Sequence, residues 1–253
     1  MGEMDMNFHY ELIDFKDQIP IKSFIVEIGD FAPHLHDEVE VIFVISGNVH
    51  IAVSNMHYRL NTGDFMVVNS REIHYFQRVE GENIVLIIQL DSNIPIMPHG
   101  VLGSIRFERN SVDPNESRTK AVCNKIRDNL KYIIYEICIK EKHYELAVYF
   151  LVLKILTIIL RNFPYHIMDK KELKSDNENL DRILKVFQYV EENYMYDISL
   201  RDAASLLHLS DYYFVHFFKK YTGLTFGKYL TKVRLEKAKK LMMDSEKSLT
   251  EIA

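Results

Sequence analysis

The chain of 253 residues has only two cysteines, Cys123 and Cys138. Two cysteines do not make a disulfide framework, and a reducing compartment is the default. Long apolar runs are also missing. The most apolar stretch, Leu146–Leu160, is interrupted by Lys154 and is too short to cross a bilayer. The N-terminus has no basic segment leading into an apolar core, as a secretory signal would have. A cytoplasmic protein with no membrane partner is therefore expected. The sequence also lacks a phosphate-cradling glycine loop and a serine-nucleophile motif, which removes two large enzyme classes from consideration.

The net charge of −5 is unevenly spread. Residues 1–179 carry −7, whereas residues 180–253 carry +2. Between Lys219 and Lys240 there are eight basic residues and one acid, Glu236. Such a cluster in an acidic chain is either a solvated helix face or a surface for phosphates.

The chain divides into four parts. Residues 1–110 are rich in short β-type runs such as "VEVIFVISG", "VHIAVS", "DFMVVN" and "NIVLIIQL", separated by turn signals such as "SGN" and "NTGD". Many short strands at regular spacing predict a barrel or sandwich. Residues 111–163 change texture, and Arg118–Phe163 contains neither glycine nor proline. Val122, Ile126, Leu130, Ile133 and Ile137 recur at helical spacing. Two helices hinged near Lys140–His143 are expected, with enough apolar surface to serve the barrel and a second subunit. Residues 164–179 are polar and weakly periodic, and read as a linker. Residues 180–253 are helical again, with Leu180, Ile183, Leu184, Phe187, Val190 and Tyr194 on one face of the first helix.

Within this last part, Ser199 and Asp202 have the spacing of a capping box. They open a short helix whose buried side is Leu200, Ala203, Ala204 and Leu207. "HLS" breaks it, Ser210 caps the next helix, "DYYFVHFFKKYTG", and Gly223 ends that one. On this helix Tyr213, Phe214, Phe217, Phe218 and Tyr221 form an apolar face. Asp211, Tyr212, Val215, His216, Lys219 and Lys220 form the other. Two short helices joined by a tight turn, with such an outer face on the second, are what a helix-turn-helix needs to read base edges in the major groove. A small helical protein-binding module is the competing reading, and the basic run argues against it.

Here a resemblance enters. Asp197–Met242 resembles the first helix-turn-helix of the AraC/XylS transcription regulators. It does so through Ser199-Leu200, Ala203-Ala204, Leu209-Ser210, "FFKKYTG", Tyr229-Leu230 and "VRLEKAKKLM". The resemblance implies an α+β multidomain chain: an N-terminal cupin-like β-barrel that senses a small metabolite, a helical hairpin that dimerises, and a C-terminal all-α domain that binds double-stranded promoter DNA. DNA contacts are expected from Ser210, Tyr212, Val215, His216, Lys219 and Lys220. Val215 and His216 stand where the family often has Ser or Gln and then Arg. An apolar contact to a thymine methyl is the expected replacement. The family carries two such units. "SLTEIA" (Ser248–Ala253) repeats the opening of "SLRDAA", so the second is expected to be cut off in its first turn.

The run "PHLHDEVEVIFVISG" (Pro33–Gly47) places His34, His36 and Glu40 at one parity, hence on one side of an extended chain. His74 closes "GDFMVVNSREIH". Together these resemble the two cupin motifs, over residues 24–90, with Asn69 and Arg71 in place of the usual proline and glycine. His34, His36, Glu40 and His74 are thus the expected effector contacts on the wall of a sensor pocket holding a sugar or another metabolite. A divalent metal on the same four residues is the alternative, since imidazole and carboxylate suit Zn, Fe, Ni or Cu. No other cofactor is expected. A metal-dependent cupin enzyme would also need an open coordination position and a substrate pocket.

Overall fold

The computed structural model describes residues 10–15, 19–97, 100–108 and 116–244. The expected second capping box, Ser248 with Glu251, lies outside them. Eight strands form two four-stranded antiparallel sheets. The first contains β1 (Ile21–Val26), β8 (Ile84–Leu90), β3 (Val39–Ser46) and β6 (Phe65–Val68), in that order. The second contains β2 (Phe31–His34), β7 (His74–Gln77), β4 (Asn48–Val53) and β5 (Met56–Asn61). Shorter pairs follow: β9 (Pro95–Met97) with β10 (Gly100–Val101), and β11 (Ile105–Phe107) with β12 (Tyr165–Ile167).

Both sheets are covered on both faces, which is why their strands read as apolar runs. Ile42 and Val44 of β3, Ile51 and Val53 of β4, Phe76 of β7 and Val85 and Ile87 of β8 pack between the sheets. The alternate residues of β3 and β8, Val39, Val41, Phe43, Leu86, Ile88 and Leu90, face outward. They meet a helical hairpin of α1 (Ser117–Ile139) and α2 (Tyr144–Asn162). The hairpin turns where expected, with Lys140 and His143 both in the left-handed backbone region. The second sheet turns its outer residues Leu35, Ala52, Ile73 and Tyr75 to a different layer, the C-terminal helices.

Those helices are α3 (Lys170–Asn193), α4 (Leu200–Leu206), α5 (Asp211–Thr222) and α6 (Phe226–Asp244). Their core is aromatic: Phe187, Phe214, Phe218, Phe226 and Tyr229 are buried together, with Phe187 stacked on Tyr229 at 4.7 Å between ring centroids. The expected linker over residues 164–179 is corrected. Tyr165–Ile167 pairs with β11, and α3 already starts at Lys170 behind a full capping box of Asp169 and Glu172. The first turns of α3 reach beyond its core and hold the sheet domain by polar contacts. Arg106 pairs with Asp176 at 3.2 Å, and Arg71 reaches Asn177 at 3.0 Å and Asp181 at 3.4 Å. Since apolar periodicity marks only a buried face, these turns look like a linker in sequence.

Candidate functional site

Three histidines converge between the sheets. His34 ends β2 and lies opposite His74 in the register with β7. His36 follows at the same parity, and Glu40 enters from β3. Ring centroids are 4.1 Å apart for His34–His74, 5.2 Å for His36–His74 and 6.1 Å for His34–His36. All four side chains are buried. One ligand atom from each histidine lies within 4.8 Å of the other two. Sequence parity thus found His34, His36 and Glu40, the cupin resemblance added His74, and strand pairing brings His74 against His34.

The hydrogen bonds fix the tautomers. His34 Nδ1–H donates to the Ala32 carbonyl at 3.0 Å, and His74 Nδ1–H donates to the Glu72 carbonyl at 2.9 Å. A carbonyl can only accept, so in the neutral ring each Nε2 is left with a lone pair. His36 behaves differently. Its Nε2–H donates to Glu40 Oε2 at 3.2 Å, and Glu38 Oε2 lies 3.5 Å from its Nδ1. Burial disfavours charge on His36, but the hydrogen bond and charge of Glu40 outweigh it and raise the pKa above the ordinary value. His34 is held well below it, first by burial and then by the neighbouring His74 and His36. Burial alone would raise the Glu40 pKa, yet the hydrogen bond from His36 and the two neighbouring imidazoles keep it well below the usual carboxylate range. Sequence reasoning missed Gln89, which lies opposite Glu40 in the β3–β8 register and donates to its Oε2 at 3.1 Å. Its signal was a lone amide at an inward position of an apolar strand.

These donors fit a divalent ion. His74 Nε2 and Glu40 Oε1 are buried without a hydrogen-bond partner, and they face each other at 3.6 Å. Imidazoles whose Nδ1–H is tied to a backbone carbonyl present Nε2 to a metal in the usual outer-shell arrangement. A tetrahedral zinc with bonds of about 2.0–2.1 Å needs its nitrogens about 3.4 Å apart. His34 and His74 would hold such an ion through Nε2, with His36 and Glu40 beside them. A bound ion would supply fixed positive charge and a cross-link between β2 and β7.

The second candidate site is the outer face of α5. Ser199 and Asp202 form the expected box at the start of α4. His208 adopts φ +54° in the turn, and the Ser210 side chain accepts from Tyr213 N at 3.3 Å. Tyr212, Val215, His216, Lys219 and Lys220 are all exposed, with the Tyr212 and His216 rings edge-to-face at 4.6 Å. One expectation is corrected: Tyr213 is exposed, so the buried face is narrower and rests on Phe214 and Phe218. Gly223 ends the helix with φ +71°, and a Cβ there would lie 2.4 Å from the Ser54 carbonyl. Only glycine allows both that backbone and the contact with the β4–β5 turn.

Residues 203–253 match the family described as a helix-turn-helix domain, and residues 24–90 match the cupin domain. The chain is 26% identical over 242 residues to the uncharacterized HTH-type transcriptional regulator YbfI of Bacillus subtilis, covering 95% of this chain and 80% of that protein. Over 96 residues it is 28% identical to the regulatory protein PocR of Salmonella typhimurium, 38% of this chain and 32% of that one. It is 22% identical over 214 residues to the uncharacterized HTH-type transcriptional regulator SACOL0084 of Staphylococcus aureus, covering 83% of this chain and 27% of that one. The chain therefore spans most of the first relative and no more than about a third of the other two.

Joined to a helix-turn-helix, the cupin scaffold is part of a DNA-binding transcription regulator and not of an enzyme. The helix-turn-helix match and the cupin match fall in the order that AraC-type regulators with an N-terminal cupin domain have, and the chain is consistent with that layout. Among the described residues no helix is long and apolar enough to cross a membrane.

Proposed function

We propose that this regulator works in the cytoplasm as a homodimer on promoter DNA, and that its buried histidine cluster is an input that acts on the DNA-binding helices. One observation carries the proposal. The strands that hold the histidines alternate between the cluster and the interdomain contact. His34 and His36 point inward, and Leu35 between them points out into the core of the C-terminal domain. His74 points inward, and its neighbours Ile73 and Tyr75 point out into the same core. Arg71 adds a polar link: its backbone N–H donates to the His36 carbonyl at 2.8 Å, while its guanidinium holds Asp181 and Asn177 of α3. In the cupin pattern this position is glycine. Arg71 keeps a left-handed backbone, φ +58°, and adds the clamp.

A divalent ion on His34, His36 and His74, beside Glu40, fits the donor set better than a sugar, because the four side chains already pack against one another. An ion held there would tie β2 to β7, whose neighbouring residues Leu35, Ile73 and Tyr75 enter the core of the C-terminal helices. The helix-turn-helix would read bases through Tyr212, Val215 and His216, near the N-terminus of α5, and meet phosphates through Lys219 and Lys220. Ser210 is engaged as the cap of α5 and would lie beside a phosphate of the bound DNA. Dimerisation through the hairpin is supported by an exposed apolar stripe: Tyr132, Tyr135 and Ile139 on α1, and Leu146 and Phe150 on α2.

Metal content tests the site. The purified chain, loaded with zinc, nickel or iron(II) and desalted, should retain about one ion, and a His34→Ala/His74→Ala variant of equal helicity should retain none. Retention below a tenth of an ion by the parent chain for every metal would refute the metal reading.

A further inference from the structure

Away from the histidine cluster the molecule holds a separate cavity. It has a volume of about 320 Å³ and lies at the edge of the barrel, between β5, β6 and β11 on one side and the hairpin on the other. Leu60, Met66, Phe107 and Ile159 give it an apolar floor. At its mouth stand two cations of α1, Lys120 and Arg127, seven residues apart on one face, with the Cys123 thiol between them.

We propose that this cavity binds a small amphipathic carboxylic acid, such as a short-chain aliphatic or simple aromatic acid. Size sets the first limit: about ten water-sized groups fit, the lower end of the range for small-molecule sites. The floor asks for a hydrocarbon body. The charge of the head group follows from how the mouth is wired. Both acids there are engaged. Asp64 accepts from the backbone of Asn61 at 2.9 Å and faces Arg127 at 4.0 Å, and Glu108 faces His166 at 3.8 Å. Arg127 is held by the Gly63 carbonyl at 2.7 Å and by Asn124 at 2.9 Å, so it forms a fixed part of the wall. Lys120 makes no ion pair among the described residues. A free ammonium above an apolar pocket selects an anion with an apolar tail. A ligand lodged there would touch β6 and α1 together, and so set the angle of the hairpin on the barrel.

The inference rests on reading the chain as a sensing regulator, but it is tested without DNA or metal, so the two can fail separately. The cavity carries its own reporter. Cys123 is half-buried and lines the cavity, whereas Cys138 is exposed on the same helix. In a Cys138→Ser background, the rate of Cys123 labelling by a chromogenic disulfide reagent is measured with hexanoate, octanoate, benzoate or phenylacetate, and with the matching amides. At least one acid should slow labelling tenfold or more at saturation and raise the melting temperature, and its amide should bind at least tenfold more weakly. Lys120→Ala should remove the preference for acid over amide while leaving the chain folded. Unchanged labelling with every acid at millimolar concentration would overturn the proposal. So would stabilisation without protection of Cys123, or a preference that survives Lys120→Ala.

Discussion

Replacing Leu35 by alanine separates the two halves of the argument. Leu35 is fully buried, and it lies in the core that the second sheet shares with α3, α5 and α6. Its inward neighbours His34 and His36 stay in place, because the change affects only the outward side of the strand. Leucine-to-alanine changes in cores cost about 2–5 kcal/mol. Here the cost falls on docking between domains more than on either domain's own core. At about 2.7 kcal/mol, docking would weaken roughly a hundredfold. The parent should unfold in one calorimetric transition. Leu35→Ala should show two, and the connection around residues 163–169 should be cut faster by protease. Metal retention should be unchanged. A single transition shifted as a whole, with no gain in proteolysis, would mean that Leu35 belongs to the barrel's own core and that the coupling argument is wrong.

Other consequences follow from single residues. Glu236 of α6 lies in the same contact, facing the Ala32 backbone, Asp30, and Lys232 and Lys239 of its own helix; burial pushes its pKa up to about 7 from 4.5. The docked state therefore favours the protonated acid, and docking weakens as pH rises from about 4.5 through 7; Glu236→Gln should remove that slope in melting temperature measured from pH 5 to 8. On a randomised operator library, His216→Ala should change base preference, whereas Lys219→Ala should weaken all sequences alike and reduce the salt slope by about one; equal, sequence-independent losses would remove His216 as a base reader. Phe150, exposed on α2, should be covered in a dimer, so Phe150→Glu should halve the mass seen by light scattering at micromolar concentration.

What could be read from the sequence was whatever is local or periodic. The capping box at Ser199, the turn at His208 and the stop at Gly223 each have a local cause, and the structure has them where expected. Strand parity put His34, His36 and Glu40 on one side. His74 was placed with them by the resemblance to the second cupin motif, and strand pairing sets it opposite His34; Gln89 joins only through pairing with β3, which no local pattern encodes. The start of α3 was hidden because its first turns have no buried face. Least visible was the interdomain contact. Leu35, Ile73 and Tyr75 look like ordinary barrel residues, since alternation says which side they face but not what covers it.

The most direct test is the affinity of the chain for a selected DNA fragment, measured by fluorescence anisotropy with the histidine site loaded and then stripped by chelator. The account predicts a change of tenfold or more, in either direction, that disappears in Leu35→Ala although the ion still binds. Equal affinity in the two states of the parent chain, with metal retention confirmed, would contradict it.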